Sequence, residues 1–511
     1  MQVYKRSNSP SWSKEAAIAR SASLVRKPFR LLFPFLPLLL AAFALRAWDF
    51  GNPVLDLDEQ WYLLVGDRLL RRAVPFIDLW DRKPVGLFLL FAAIRSLPGD
   101  GVVAYQVAAT LSAGVTAALI AIIARRSGVG LRACTVAGLL YLLSASVIGG
   151  QGGQAPIFYN LLVAFSVLLT TRLPALTRRN GLTPILVNGV VACGVLGAAI
   201  LMKYTAAIEG AFIGLAHLWT LRRAGRSWGE TAICGVPLAL AGLAPTLIAV
   251  GAYYIRGPEA FRAFWFANFV SIGLRRSYPA AQAIANLGSI AGQISPLIIT
   301  AAFSIAKYAR PLRANPLRLI TAGWLAAALV GFACIGTFHD HYALPLLAPL
   351  AVVASPALDR SKVLQAGMLL VSLAIYAGEW LSRPYDAVAA RQVAALVKRV
   401  SGTECPYVFM GDPITYYLAD SCIPTAYAFP NSLAQRIEQG STGIDEAAEV
   451  GRILHGRPPV VITSDRRRTI WNVQSRRVLD PELKRNYRLE MVVPRGKWHT
   501  LVYVRRDLSP A

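Results

Sequence analysis

Charge is scarce in this sequence: only 16% of its 511 residues are Asp, Glu, Lys or Arg, 55% are hydrophobic, and mean hydropathy is +0.46. So little charge excludes an ordinary soluble chain of this size. Acid is scarcest, with 28 Asp and Glu against 53 Lys and Arg, a formal net charge of +25. The excess does not point to nucleic acid, because the basic residues sit in short clusters between apolar runs and not on one polar domain. No repeat of solenoid period and no low-complexity segment is present, which excludes those architectures. Nor does a small-residue cleavage site follow the first apolar run, 31–48, so that run reads as an uncleaved anchor behind the basic N-terminus, 1–30.

What the chain does have is apolar runs of spanning length, recurring from residue 31 to residue 381 and then ceasing. A helix needs about 20 residues to cross a hydrocarbon core of about 30 Å. About eleven spans are expected, near 31–48, 101–124, 131–149, 155–172, 183–202, 206–221, 232–254, 288–307, 318–336, 342–357 and 363–381. Basic clusters mark every second connection: Arg125, Arg126 and Arg132; Arg172, Arg178 and Arg179; Arg222, Arg223 and Arg226; Lys307, Arg310, Arg313 and Arg318; Arg360 and Lys362. By the positive-inside rule these connections and the N-terminus are cytoplasmic. The long connections 49–100 and 255–287, the turns GGQGGQ (149–154) and FHDH (338–341), and everything from Arg383 onward then lie outside. The patch 85–97 is too short to span and reads as a surface-lying or re-entrant helix.

Residues 383–511 turn polar and carry four strand-like runs, PYVFM at 406–410, PPVVIT at 458–463, LEMVV at 489–493 and TLVYV at 500–504, which indicate a small α/β domain. Four of the six cysteines, Cys134, Cys193, Cys234 and Cys334, fall in apolar runs and read as small buried hydrophobes. Cys405 and Cys422 lie on the oxidising side, where a disulfide is permitted, although spacing alone does not decide it.

Chemistry gathers in the first long connection. In LDLDEQWY (55–62), Asp56, Asp58 and Glu59 cluster just after the first span. Activating a hydroxyl needs a base beside the attacking oxygen, and a nearby membrane boundary is expected to raise a carboxylate pKa toward a useful value. The alternative makes Asp58 the N-cap of the following helix, with Glu59 in its first turn. In FIDLWDRKPVG (76–86), Asp78, Asp81, Arg82 and Lys83 precede a proline; Arg82 or Lys83 suits a lipid phosphate, and an interfacial salt-bridge cluster is the plainer alternative. Lys203 in LMKYTA needs an anion, either a donor phosphate or Glu209. His339 and His341 flank Asp340 and fit a metal site, a phosphate clamp or an interfacial cap.

Four segments together resemble the bacterial protein-mannosyltransferase-like family: LDLDEQWYLLVGDRLLRRAVPFIDLWDRKPVGLFLL, LGAAILMKYTA, FHDHYALPLLAPLAVVA and VFMGDPITYYLADSCIPTAYAFP. The likeness runs from about residue 50 to 430. It implies a GT-C fold, a mainly α polytopic membrane bundle (31–382) whose first outer loop, 49–100, builds the active site, followed by the extracytoplasmic α/β domain (383–511). It also implies a polyprenyl-phosphate sugar as donor. Carried over by position, Asp58 is the base or acceptor-positioning carboxylate and Glu59 its catalytic neighbour. Lys83, Lys203 and His341 are then donor contacts, and the reading of the residues themselves adds Asp56, Asp81, Arg82 and His339 as contacts for donor phosphate or sugar. Two departures stand out: GGQGGQAPIFYN has only Gln151, Gln154 and Asn160 where many relatives carry an acid, and PVG after Lys83 lacks the usual second proline.

The sequence therefore predicts an inverting membrane glycosyltransferase of the bacterial inner membrane, acting at the periplasmic face on an acceptor hydroxyl of a lipid, glycan or protein. Its partners are the lipid-linked donor, that acceptor and membrane lipids, with no nucleic acid. No nucleotide is needed, the sequence identifies no certain cofactor, and a divalent metal is compatible with the site. The rival reading is a multispan transporter or flippase, whose usual sign, paired Gly/Pro-broken segments in two matching halves, is missing. An assembly protein is a third.

Overall fold

The structure, a computed structural model, describes residues 35–177, 182–383, 386–466, 470–496 and 498–508. The basic N-terminus, residues 31–34 of the first expected span, Arg178 and Arg179 lie outside the described residues, as do the side chains of Arg310 and Arg313.

A helix occupies every expected span. Seven among the described residues are long and apolar enough to cross a membrane, and the bent pair Ala280–Gln293 and Ser295–Lys307, at 79°, makes an eighth if taken as one span. The remaining three expected spans are helices with less to qualify them: Leu36–Arg46 has 11 residues, Leu131–Val147 has 17, and Ala206–Arg223 carries Glu209, Arg222 and Arg223. Burial sorts the bundle. The apolar stretch of Asp340–Arg360 is 83% buried and that of Trp228–Ile255 only 17%, so the first is core and the second offers Ile233, Leu240, Leu247 and Ile248 outward. A helix that leaves such a face uncovered is adapted to lipid.

The first long connection folds into two helices, Leu57–Leu70 and Val85–Arg95, crossing closely. Gly66 permits this, since a Cβ there would lie 2.8 Å from the backbone of Phe91 and Ala92. The short apolar patch is thus a helix whose Leu87, Phe88 and Phe91 are buried against its partner, with Tyr62 edge-on to both phenylalanines.

After residue 386 the chain forms the expected α/β domain, a four-stranded sheet in the order β1-β2-β4-β3 with β1 Tyr407–Val408, β2 Val460–Ser464, β3 Tyr487–Arg495 and β4 Trp498–Arg505. β1 and β2 are parallel and the other pairings antiparallel. Cys405 and Cys422 are joined by a disulfide. The domain is pinned to the first connection: Gln60 Nε2 donates to Asp412 (3.1 Å), Trp80 N to the Ala426 carbonyl (2.8 Å), and Arg71 pairs with Asp420 (2.8 Å). Arg495 gathers Asp386, Asp412 and the Val54 carbonyl. These contacts fix where the helix Leu57–Leu70 begins, and that is where the candidate chemistry lies.

Candidate active site

Asp56, not Asp58, caps this helix: its carboxylate accepts from Asp58 N at 2.9 Å, satisfying one of the unpaired first-turn N–H groups. Asp58 is therefore free of capping and turns toward a cavity of about 560 Å³ between the bundle, the two long connections and the α/β domain. Asp56, Asp58, Asp81, Arg82, Lys83, Lys203, His339 and His341 all line it.

Lys83 is the hub. Its Nζ lies 3.3 Å from Asp58 Oδ1 and 3.5 Å from Asp81 Oδ2, above the ring of Tyr62 at 4.9 Å. The local chain explains its placement. Asp81 Oδ1 accepts the backbone N–H groups of Arg82 (2.6 Å) and Lys83 (3.2 Å), an Asx-type turn that leaves its other oxygen for the ammonium. Pro84 disfavours helix at Lys83 and starts the next one. Gly86 then docks on Leu201, donating its N–H to that carbonyl at 3.1 Å, and a Cβ would stand 2.7 Å from the same oxygen. This contact, two residues before Lys203, brings the two lysines to one cavity, and it gives the glycine of PVG a structural reason.

Glu209 accepts instead from Trp324 Nε1 at 2.7 Å, and Lys203 forms no ion pair among the described residues; its ammonium lies 4.9 Å above the Tyr342 ring. His341 Nε2 is 3.9 Å from Asp58 Oδ2, and its ring lies parallel to that of His339 at 5.9 Å. Tyr278 Oη is 3.3 Å from His339 Nε2. Burial, reinforced by Arg275, pushes the His339 imidazole below its ordinary range.

Two expectations change. Burial pushes the Asp58 carboxyl up, but Lys83, His341 and Lys203 outweigh it and hold its pKa at about 2, opposite to the rise expected at a membrane boundary. Burial likewise pushes Lys83 down, and Asp58 with Asp81 hold it above its usual range. Glu59, expected as a catalytic neighbour, does not reach the cavity. It is fully buried on another face of the helix, where Tyr105 Oη donates to it at 3.2 Å and the turn 149–154 presses on it. A Cβ on Gly152 would overlap both Glu59 oxygens. Arg46, buried beside them, donates to the carbonyls of Gly150 and Gly152 and to Thr110 Oγ1. Gly152 of that turn thus faces space already taken by Glu59.

Sequence reasoning missed one side of the site. Arg82 and Arg275 share the buried carboxylate of Glu438, with Arg275 Nη2 at 2.7 Å. Burial lowers the Arg275 pKa, and Glu438 and Tyr342 more than restore it. The basic pair Arg275–Arg276 after an aromatic run was a visible signal, whereas nothing near Glu438 distinguishes it from a surface acid. No three His, Cys, Asp or Glu side chains come together as metal ligands among the described residues.

No protein-family model and no curated protein matches the sequence. Solved structures do. ArnT from Cupriavidus metallidurans in the apo state is 14% identical, aligned over 95% of this chain and 98% of its own, with a TM-score of 0.61. The same protein bound to undecaprenyl phosphate matches at 14% identity over 93% and 98%, with a TM-score of 0.60. The oligosaccharyltransferase AglB from Archaeoglobus fulgidus, in complex with an inhibitory peptide and a dolichol-phosphate, is 10% identical over 95% of this chain and 74% of its own, with a TM-score of 0.52. The fold is that of the GT-C glycosyltransferases, as the sequence motifs implied.

Proposed function

We propose that the protein transfers a sugar from a polyprenyl-phosphate carrier to an acceptor hydroxyl, at the periplasmic face of a bacterial inner membrane. The observation that carries this reading is Asp58 held between Lys83 and His341 in the wall of a cavity that also presents Lys203, which has no ion-pair partner among the described residues. Similar folds bind undecaprenyl phosphate and dolichol-phosphate, the lipid class this charge pattern suits.

On this reading the chemistry starts from the resting geometry. Asp58 bridged to Lys83 is a weak base. A donor phosphate arriving between Lys83 and Lys203 competes for the Lys83 ammonium, loosens the bridge and raises the basicity of Asp58 as the reaction requires it. The acceptor oxygen then attacks the anomeric carbon, its proton passes to Asp58, and the anomeric C–O bond breaks with its electron pair leaving on the lipid phosphate. Lys83 and Lys203 stabilise that leaving charge. A single displacement of this kind inverts the anomeric centre. Arg82, tied to Glu438, holds the α/β domain over the site.

The test uses membranes carrying wild type or Asp58→Asn with radiolabelled polyprenyl-phosphate sugars. Label should leave the lipid with wild type and fall by two orders of magnitude or more, ~10²-fold at least, with the variant. Equal release by both would remove Asp58 from the mechanism. No release with any of a range of sugars, alongside movement of the intact lipid across the bilayer, would establish the transporter instead.

A further inference from the structure

A second, smaller cavity of about 260 Å³ shares a wall with the first. Arg276, Ser277 and Tyr278 line both, while Arg436 and Ile470 line only the smaller one. Three chain segments are hydrogen-bonded into this wall. Arg276 N donates to the Ile437 carbonyl at 3.2 Å, Arg276 Nε to the Gln439 carbonyl at 3.3 Å, and Arg436 N to the Ile470 carbonyl at 2.9 Å. The scaffold is thus fixed, and the Arg276 terminal nitrogens remain for a ligand. No acid lines the cavity, and among the described residues neither guanidinium forms an ion pair.

We propose that this cavity is a subsite for the acceptor, and that the acceptor carries a phosphate monoester held between Arg276 and Arg436. The inference rests on the transferase reading and deepens it. A phosphate monoester has a charge near −2 at neutral pH, about −1.5 to −2. It matches two guanidinium forks, whereas a carboxylate would leave one unmatched. The volume falls slightly below the usual range for whole small-molecule sites, ~300–1,000 Å³, so it suits a headgroup whose remainder extends outside. Position supports the assignment: Tyr278 reaches from this cavity to His339, whose ring stacks on His341 beside Asp58. A phosphate anchored here leaves the rest of the acceptor next to the carboxylate that takes its proton.

The experiment uses the full chain in detergent, with the first cavity saturated by undecaprenyl phosphate, and measures binding of radiolabelled glucose 1-phosphate against glucose. Glucose 1-phosphate should bind with the lipid phosphate present and glucose should not. Arg436→Ala, which leaves the first cavity's lining intact, should weaken that binding at least tenfold, and Arg436→Lys should restore part of it. Retained binding in Arg436→Ala and in Arg276→Ala/Arg436→Ala, or no binding at all with the lipid phosphate present, would each overturn the subsite. Undecaprenyl phosphate binding, measured on the same samples and on Lys83→Met, reports separately on the transferase reading and on folding of the variants. Dihexanoyl phosphatidic acid separates the sources: displacement of bound glucose 1-phosphate upholds the subsite with a lipid-linked acceptor, and failure to displace it upholds the subsite with a water-soluble one.

Discussion

Asp58 and Glu59 are adjacent in sequence, yet the helix turns by about 100° between them and delivers them to opposite surroundings. On one face Asp58 meets Lys83 and His341 at a polar cavity and stays ionised. On the other, Glu59 is sealed against Tyr105 and Gly152, where burial first and the nearby Asp56 charge second push its carboxyl well above the ordinary range. Proximity to a membrane edge was expected to act on both alike. The difference teaches that partners brought from distant segments outweigh the medium: Asp58 has an ammonium in reach, and Glu59 has a phenol and glycine backbone.

The largest expected effect contrasts the two directly. Asp58→Asn should cut release of label from the lipid donor by about 10²–10⁴-fold, the range for a lost general base, while Glu59→Gln should cost less than about tenfold. Matching losses in single-turnover assays would erase the contrast and return Glu59 to the chemistry. Next in size is Lys83→Met. Without the ammonium, burial pushes the Asp58 carboxyl up, so the acid limb of the pH–rate profile should move to higher pH and the rate at neutral pH should fall by about 10²-fold. Lys83→Arg, keeping the charge, should leave the limb near its original position; an unmoved limb in both variants would assign it to another group.

The sequence made the bundle legible because apolar runs and basic clusters are local signals, and a helix stands at every place they indicated. The four strands were legible for the same reason. The motifs, taken in order, singled out Asp58, Lys83, Lys203 and His341, and these four line one cavity. What escaped was everything set by contacts between remote segments. The pKa direction of Asp58 depends on where Lys83 lands, and that depends on Gly86 meeting Leu201. Glu438 enters from the α/β domain with no neighbouring pattern to announce it, and is recognisable only beside Arg82 and Arg275.

A smaller effect sharpens the buried half of the contrast. Gly152→Ala places a methyl where both Glu59 oxygens already are, so it should destabilise the protein by about 1–3 kcal/mol, the usual cost of overpacking. Thermal unfolding in detergent measures this. Glu59→Ala should relieve the clash, so the double variant should recover part of the loss, with a coupling of about 0.5–3 kcal/mol. Strict additivity would mean that the turn and the carboxylate do not share that space.

The smallest effect lies in how the two carboxylates couple stability to pH, and their signs are opposite. Glu59 has its folded pKa raised, so the native state holds this proton more tightly than the unfolded chain does. Its contribution is fully present below the ordinary Glu value and is lost as pH climbs through the folded value, with a slope of at most about 1.4 kcal/mol per pH unit for one proton. Asp58 has its folded pKa lowered to about 2, so its contribution is present above the ordinary Asp value of 3.8 and is lost as pH falls between the two. Glu59→Gln should therefore flatten the alkaline-going decline in melting temperature while leaving the acid side unchanged, and Asp58→Asn should do the reverse. If both substitutions altered the same side of the curve, the two carboxylates would share one environment, and the division of this helix into a chemical face and a structural face would fail.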